Sequence, residues 1–308
     1  MIQGTHFPSI RLVGAILCFC FAFPASAQIM RVGHDVHHDV SPALRDLPKV
    51  VHHETVEIDQ EAEPVRRIPL PPGLKPATDP DPVHQAIAFL APTQFAPTAG
   101  LAFEGLGNGI FGFIVTGVPP DTNGAVGLTQ YVQWVNTSSA VFDKSTGTLL
   151  AGPNLGNTLW TGFGGLCEFG GGTPTFADGG DPVVLYDHLA GRWLVTQLQY
   201  DTTFTQTAEC IAVSTSSDAT GFYNRYEFDF GSNFPDYPKF GVWPDAYYNS
   251  INVFPPHSFA GAEACAFDRN AMLAGVPASA ICFQQPPTVS SLLPADLDGS
   301  TLPPAGAP

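Results

Sequence analysis

The sequence predicts an all-β chain: a partial β-propeller of about three blades following a disordered arm, with a β-sandwich as the alternative. Three observations predict it. Gly (31) and Pro (30) make up about a fifth of the 308 residues, while only 13% are charged; this suits short strands and tight turns better than long surface helices. Amphipathic patterns of helical length are nearly absent beyond residue 100. Short runs rich in aromatic and β-branched residues recur between turn residues.

Residues 1–27 read as a secretory signal. Arg11 supplies the basic start, Leu12 to Phe23 the apolar stretch, and Ala25-Ser26-Ala27 the small-residue cleavage site. The apolar run is about a dozen residues, short of the ~20 needed to span a bilayer. Cys18 follows Leu17 and Cys20 follows Phe19, so a lipid-modified cysteine is not expected.

Residues 28–98 form a Pro/His-rich arm. Proline is dense between Pro69 and Pro82 and apolar clusters are thin, so the segment is expected to be extended or disordered. His34, His37, His38, His52 and His53 have spacings that suit a transition metal, although a solvated linker explains them more simply. Gln85 to Ala91 is the one stretch that reads as a short helix.

Residues 99–308 are the propeller-like domain, expected to be incomplete at its C-terminus. Strand-like runs span Tyr131–Asp143, Pro182–Asp187, Arg192–Tyr200, Cys210–Ser216, Tyr223–Phe230, Phe240–Phe254 and Ala264–Arg269. An aspartate in a Pro- or Gly-rich turn precedes a strand at Asp121, Asp181 and Asp245, at intervals of 60 and 64 residues. A corner of Asp followed by Gly recurs in FDKSTG and YDHLAGRW, with FDRNAMLAG a looser echo. Blades built from four short strands repeat in this way, though at ~40–50 residues more commonly.

Export makes the remaining cysteines disulfide candidates. Cys167, Cys210, Cys265 and Cys282 allow three pairings, and loop-closure entropy favours Cys167–Cys210 with Cys265–Cys282. Their irregular spacing argues against a zinc site. A formal charge of −16 argues against nucleic acid or an anionic membrane surface as a partner.

The stretch DPVVLYDHLAGRW admits two readings. In one, Asp181 or Asp187 is a glycosidase-like carboxylate, His188 a proton donor and Arg192 an anion clamp. In the other, Asp187 caps a turn, Gly191 takes a positive φ, Arg192 covers the corner and Trp193 packs between blades. The second is the stronger, because a corner that repeats along the chain is architectural first.

In FPDYPKFGVWPDAYY, the rings of Tyr237, Trp243, Tyr247 and Tyr248 suit a sugar-stacking platform, with Asp236 and Asp245 as acidic, candidate catalytic residues. An inter-blade core strand is the plainer account of the same run. Asp121 with Asn123, and Asp296 with Asp298, each resemble half of a calcium loop, yet neither continues to the bidentate glutamate of an EF-hand.

The segments PPDTNGAVG, QYVQWVNTSSAVFDKSTG, GDPVVLYD-LAGRWL, AVSTS-DATG-Y-RY, FPDYPKFGVWPDAYY and LLPADLDGSTLPPAGAP resemble a family of large exported bacterial proteins of unassigned function. The likeness covers about residues 115–308, and HDVSPALRDL matches the arm of some members. It implies a secreted β-propeller-like fold of sialidase-like appearance and no established activity. Its members run on past the position of Pro308, which implies an N-terminal fragment, or an open sheet edge covered by an oligomer or partner. The expected function is binding of an extracellular polysaccharide or glycoprotein, without catalysis. The alternatives are a sialidase-like glycoside hydrolase and a cell-surface assembly module.

Overall fold

A computed structural model describes residues 29–47, 100–113, 120–169, 179–255 and 258–307. The signal segment, the Gln85–Ala91 stretch, and His52 and His53 lie outside the described residues. The chain is all-β, with three antiparallel sheets, none of which closes on itself.

Each sheet is a meander of four consecutive strands. The first contains β3 (Asn123–Val126), β4 (Gln130–Val135), β5 (Ser138–Asp143) and β6 (Leu149–Leu155). The second contains β7 (Val183–Asp187), β8 (Arg192–Tyr200), β9 (Thr207–Ser214) and β10 (Tyr223–Gly231). The third contains β11 (Phe234–Val242), β12 (Tyr247–Phe254), β13 (Gly261–Phe267) and β14 (Ser279–Gln284). Two short helices intervene, α1 (Gly165–Phe169) and α2 (Arg269–Ala274).

The sequence reading joins strands that the structure separates. Tyr131–Asp143 breaks at Asn136, whose φ of 41° makes a tight turn between β4 and β5. Phe240–Phe254 divides into the end of β11 and all of β12. Asn136 in the first case and Pro244-Asp245 in the second supply turn geometry inside otherwise strand-like runs.

The sheets stack face to face through two apolar cores. Val132, Trp134, Val184, Tyr186, Trp193 and Val195 fill the space between the first and second sheets. Leu194, Ile211, Tyr226, Phe228, Tyr247, Ile251 and Phe267 fill that between the second and third. Bulk on both faces of β8 follows from this sandwiching, since alternate side chains enter alternate cores.

The arm departs from expectation over its first part. Residues 29–47 are not a disordered arm: they carry β1 (Ile29–His34), which pairs with β14, and β2 (His37–Val40), which pairs with β10. Each becomes a fifth strand on an outer edge. Arg225, 1% exposed, donates from Nε and Nη2 to the two carboxylate oxygens of Asp39 at 2.8 and 2.6 Å, and Arg31 meets Glu263 at 3.1 Å. His38 bonds Asp35 at 2.6 Å, and His37 packs edge-on against Phe163. Two of the histidines considered for a metal therefore serve the sheet edge. The sequence hid this because a strand added at an edge is held by backbone pairing, and here it leaves apolar side chains such as Ile29 and Val32 exposed rather than in a readable core pattern.

Both outward faces of the stack are covered. Phe103, Leu106 and Phe113 pack on Ala140 and Phe142 of the first sheet, and Leu106 N–H donates to Gln133 Oε1 at 2.7 Å. The irregular segment after β14 lies across the third sheet: Asn252 Oδ1 accepts from Ser291 N–H at 2.8 Å, and Ser250 Oγ donates to Leu292 O. Gly241 is required there, since a Cβ would strike the Ala295 carbonyl.

Both expected disulfides are present. Cys167–Cys210 ties α1 to β9, and Cys265–Cys282 joins directly opposed residues of β13 and β14.

Candidate functional site

The repeating corner is structural. Asp143 Oδ1 accepts the backbone N–H groups of Ser145 and Thr146 at 2.8 and 2.9 Å, and Asp187 Oδ1 those of Leu189 and Ala190 at 3.0 Å. Gly191 sits at φ 64°, and Arg192 donates to the Gly191 carbonyl at 3.2 Å. Trp193 is fully buried and its indole donates to Ser217 O at 3.0 Å. Asp268, the looser echo, instead caps α2 by accepting from Ala271 N–H.

Asp187 is also a cross-sheet anchor. It is fully buried, and Arg269 donates to both its oxygens, at 2.7 and 3.1 Å, while the Tyr247 hydroxyl donates at 3.0 Å. Burial, together with the adjacent Asp187 charge, raises the Tyr247 hydroxyl well above its ordinary range. With both oxygens occupied, Asp187 is not available as a catalytic carboxylate, and His188 beside it rests edge-on against Tyr186.

Asp121 and Asp181 are placed differently. Each stands two residues ahead of the first strand of its sheet, and Asp236 lies near the start of the first strand of the third. Those leading strands, β3, β7 and β11, run side by side where the sheets converge. Asn123 Oδ1 accepts from Val184 N–H at 2.9 Å, and Asp181 Oδ2 accepts from Tyr237 N–H at 3.2 Å. Asp121 and Asp181 thus occupy equivalent positions, whereas Asp236 stands inside β11. The charges of Asp121, Asp181 and Asp236 all act on Lys239 of β11.

The third aspartate acting on Lys239 is Asp236 rather than Asp245. Asp245 lies in the exposed β11–β12 turn and accepts from the Tyr248 hydroxyl at 3.1 Å. Sequence spacing chose Asp245 because it also stands two residues ahead of a strand, β12.

The backbone at this centre is strained. Asp121, Asp181 and Tyr237 have φ of 36°, 47° and 54°, a region costly for residues with a Cβ. Tyr237 is 46% exposed, and the Lys239 ammonium lies 3.6 Å from the centre of its ring while donating to Pro238 O at 3.0 Å. Burial lowers the Lys239 pKa, opposed in turn by Asp181, Asp121, Asp236 and Glu209.

Glu209 on β9 completes the group. It is fully buried, and neither carboxylate oxygen makes a hydrogen bond of sound geometry. Burial pushes its carboxyl up to about 8; the Asp181 charge adds to this, while the nearby Thr196 hydroxyl and Lys239 act against it. One oxygen of Asp121 is likewise buried without a partner. Glu209 and Lys239 escaped sequence reading: the first sits in a strand-like apolar run, the second in a run dominated by its rings. For Glu209, the one signal was an acid inside a run as apolar as TAECIAVS.

The aromatic platform is not assembled as expected. Tyr247 is fully buried between sheets, and its neighbour Tyr248 points to the opposite face of β12, so the two rings cannot share one surface. Trp243 is half-buried at the end of that turn. Tyr237 is the ring beside the carboxylates.

Of the oxygens considered for calcium, Asn123 Oδ1 is taken by Val184 N–H and Asp296 Oδ1 by Val242 N–H, at 2.9 and 2.8 Å. Asp298 is exposed. Among the described residues, Glu263, Cys265 and Cys282 bring metal-ligating atoms within 4.8 Å, but the two sulfurs are bonded to each other.

The arginines a sialidase-like site would need lie elsewhere. Arg31, Arg45, Arg225 and Arg269 pair with Glu263, Asp218, Asp39 and Asp187. Among the described residues, no helix is long and apolar enough to cross a membrane.

No family model and no curated protein matches the chain. Among solved structures, it is similar to a GH43 endo-arabinanase from Bacillus licheniformis, at 13% identity and a TM-score of 0.33. The likeness covers 49% of this chain and 52% of that one, so the chain spans about half the length of that structure. A likeness so remote shows neither fold nor activity.

Proposed function

We propose that the three sheets are propeller-type blades of an exported domain, and that the centre formed by Asp121, Asp181 and Asp236 binds an extracellular glycan. The observation that carries this reading is the packing of β7 against both β3 and β11, which brings Asp181 to the Tyr237 backbone at 3.2 Å beside the exposed Tyr237 ring and the Lys239 ammonium. Carboxylates accept hydrogen bonds from sugar hydroxyls, and an aromatic face suits the C–H-rich side of a pyranose. The signal-type N-terminus and two disulfides support export.

Glycoside hydrolysis is the second reading, favoured by one observation. Glu209 is held neutral near pH 7 while charged groups lie close by, and separated protonation behaviour among neighbouring carboxyls is what acid–base hydrolysis exploits. Its complete burial keeps it from touching ligand, so the reacting pair would be drawn from the three aspartates.

A glycan array followed by fluorogenic glycoside assays tests both. Binding lost in Asp181→Asn and Asp236→Asn, without turnover by the unaltered protein, supports the binding domain. Turnover lost in the same variants supports the hydrolase. Retained binding in both variants would remove the site from either account.

A further inference from the structure

The Cys265–Cys282 disulfide has a third metal-ligating group beside it. Cys265 of β13 and Cys282 of β14 are directly opposed, and Glu263 precedes Cys265 by two residues, so its side chain leaves the same face of β13. Ligand atoms of the three residues lie within 4.8 Å of one another, and all three residues are buried. Two donors on one zinc ion stand about 3.5–3.8 Å apart, given bonds of about 2.3 Å to sulfur and about 2.0–2.2 Å to oxygen. Once the S–S bond opens, small side-chain movements bring the three groups around one ion. Strand register achieves what the irregular spacing of the cysteines along the sequence does not. Among the described residues, Cys167 and Cys210 have no third ligand of this kind.

Charge and softness select the ion. Two thiolates and a carboxylate carry three negative charges in a buried place, where uncompensated charge is costly. A divalent cation cancels two of them. Arg31 of β1 supplies the remaining positive charge: its Nη2 donates to Glu263 Oε2 at 3.1 Å and to Cys282 Sγ at 3.6 Å. An outer partner that hydrogen-bonds a ligating carboxylate is the usual support of a metal site. Thiolate sulfur favours zinc over calcium or magnesium, which take oxygen ligands.

We infer that Cys265, Cys282 and Glu263 form a zinc site in the reduced protein, so that disulfide and metal are alternative staples between β13 and β14. A dithiol reductant opens the bridge: it delivers two electrons and two protons, becomes a cyclic disulfide, and leaves two thiols on the protein. Zinc then displaces both thiol protons and binds the two sulfurs and one Glu263 oxygen, with water in the fourth place.

The full chain, reduced by a phosphine that is itself converted to its oxide, is titrated anaerobically with zinc alone. Thiol alkylation mapped by mass spectrometry is the readout. Zinc is expected to protect Cys265 and Cys282, while Cys167 and Cys210 react as they do without it. Cobalt in place of zinc should give a sulfur-to-metal charge-transfer band in the near ultraviolet. Glu263→Gln should weaken zinc binding at least about tenfold. Equal alkylation of Cys265 and Cys282 with and without zinc overturns the inference, as does protection that Glu263→Gln leaves unchanged. Circular dichroism follows the fold throughout: a reduced chain that loses its β signal equally with and without zinc also overturns it. Should Glu263→Gln fail to fold, the alkylation map of the unaltered chain decides.

Discussion

Arg269, at the start of α2 between β13 and β14, holds Asp187 of β7 through both carboxylate oxygens, at 2.7 and 3.1 Å, although 82 residues separate them. The pair converts a local β-turn into a joint between the second and third sheets. Removing one partner leaves the other charge buried and uncompensated, which costs about 3–5 kcal/mol. Arg269→Met should therefore lower the denaturant midpoint strongly, whereas the exposed pair Arg45–Asp218 should contribute ~0–1 kcal/mol when Arg45→Ala is compared by the same unfolding curves.

The disulfides should differ in weight. The bridges close separations of 43 and 17 residues, for which chain entropy gives about 4 and about 3 kcal/mol. Cys167→Ala with Cys210→Ala should destabilise more than the Cys265 and Cys282 pair, measured by chemical unfolding. A reversed order would show that contacts, rather than loop closure, dominate.

Stability should fall as pH rises through the range set by Glu209. Its folded pKa, about 8, lies above the ordinary glutamate value of 4.5, so the folded state retains a proton that the unfolded chain has released. Stability attributable to this group is present below about 4.5 and is lost as pH rises through about 8, by an amount on the order of several kcal/mol. Glu209→Gln should flatten that part of the stability profile. An unchanged slope in unfolding curves across this interval would place the proton elsewhere.

The N-terminal strands should act as a clasp. Asp39→Ala leaves the buried Arg225 guanidinium with only the Leu159 and Thr161 carbonyls, at 2.8 and 3.1 Å. Loss of about 3 kcal/mol is expected, with hydrogen exchange accelerating first in β10 and β14, the edges that β2 and β1 cover. Uniform acceleration through all three sheets would instead indicate one cooperative unit.

The sequence by itself determined the all-β class, the disulfide pairing and the turn corners, because each depends on neighbours along the chain. Strand patterning has a period of two, Asx-turns span a few residues, and loop entropy rewards nearby cysteines. Asp143 and Asp187 could be assigned to turns on those grounds. Only the tertiary structure decided that the charges of Asp121, Asp181 and Asp236 bear on Lys239 while Asp245 stays in an exposed turn, and that residues 29–47 close two sheet edges. A bulge in β11, a partner strand more than 180 residues away and a glutamate drawn into a core are set by packing between sheets. No local pattern of residue types records them.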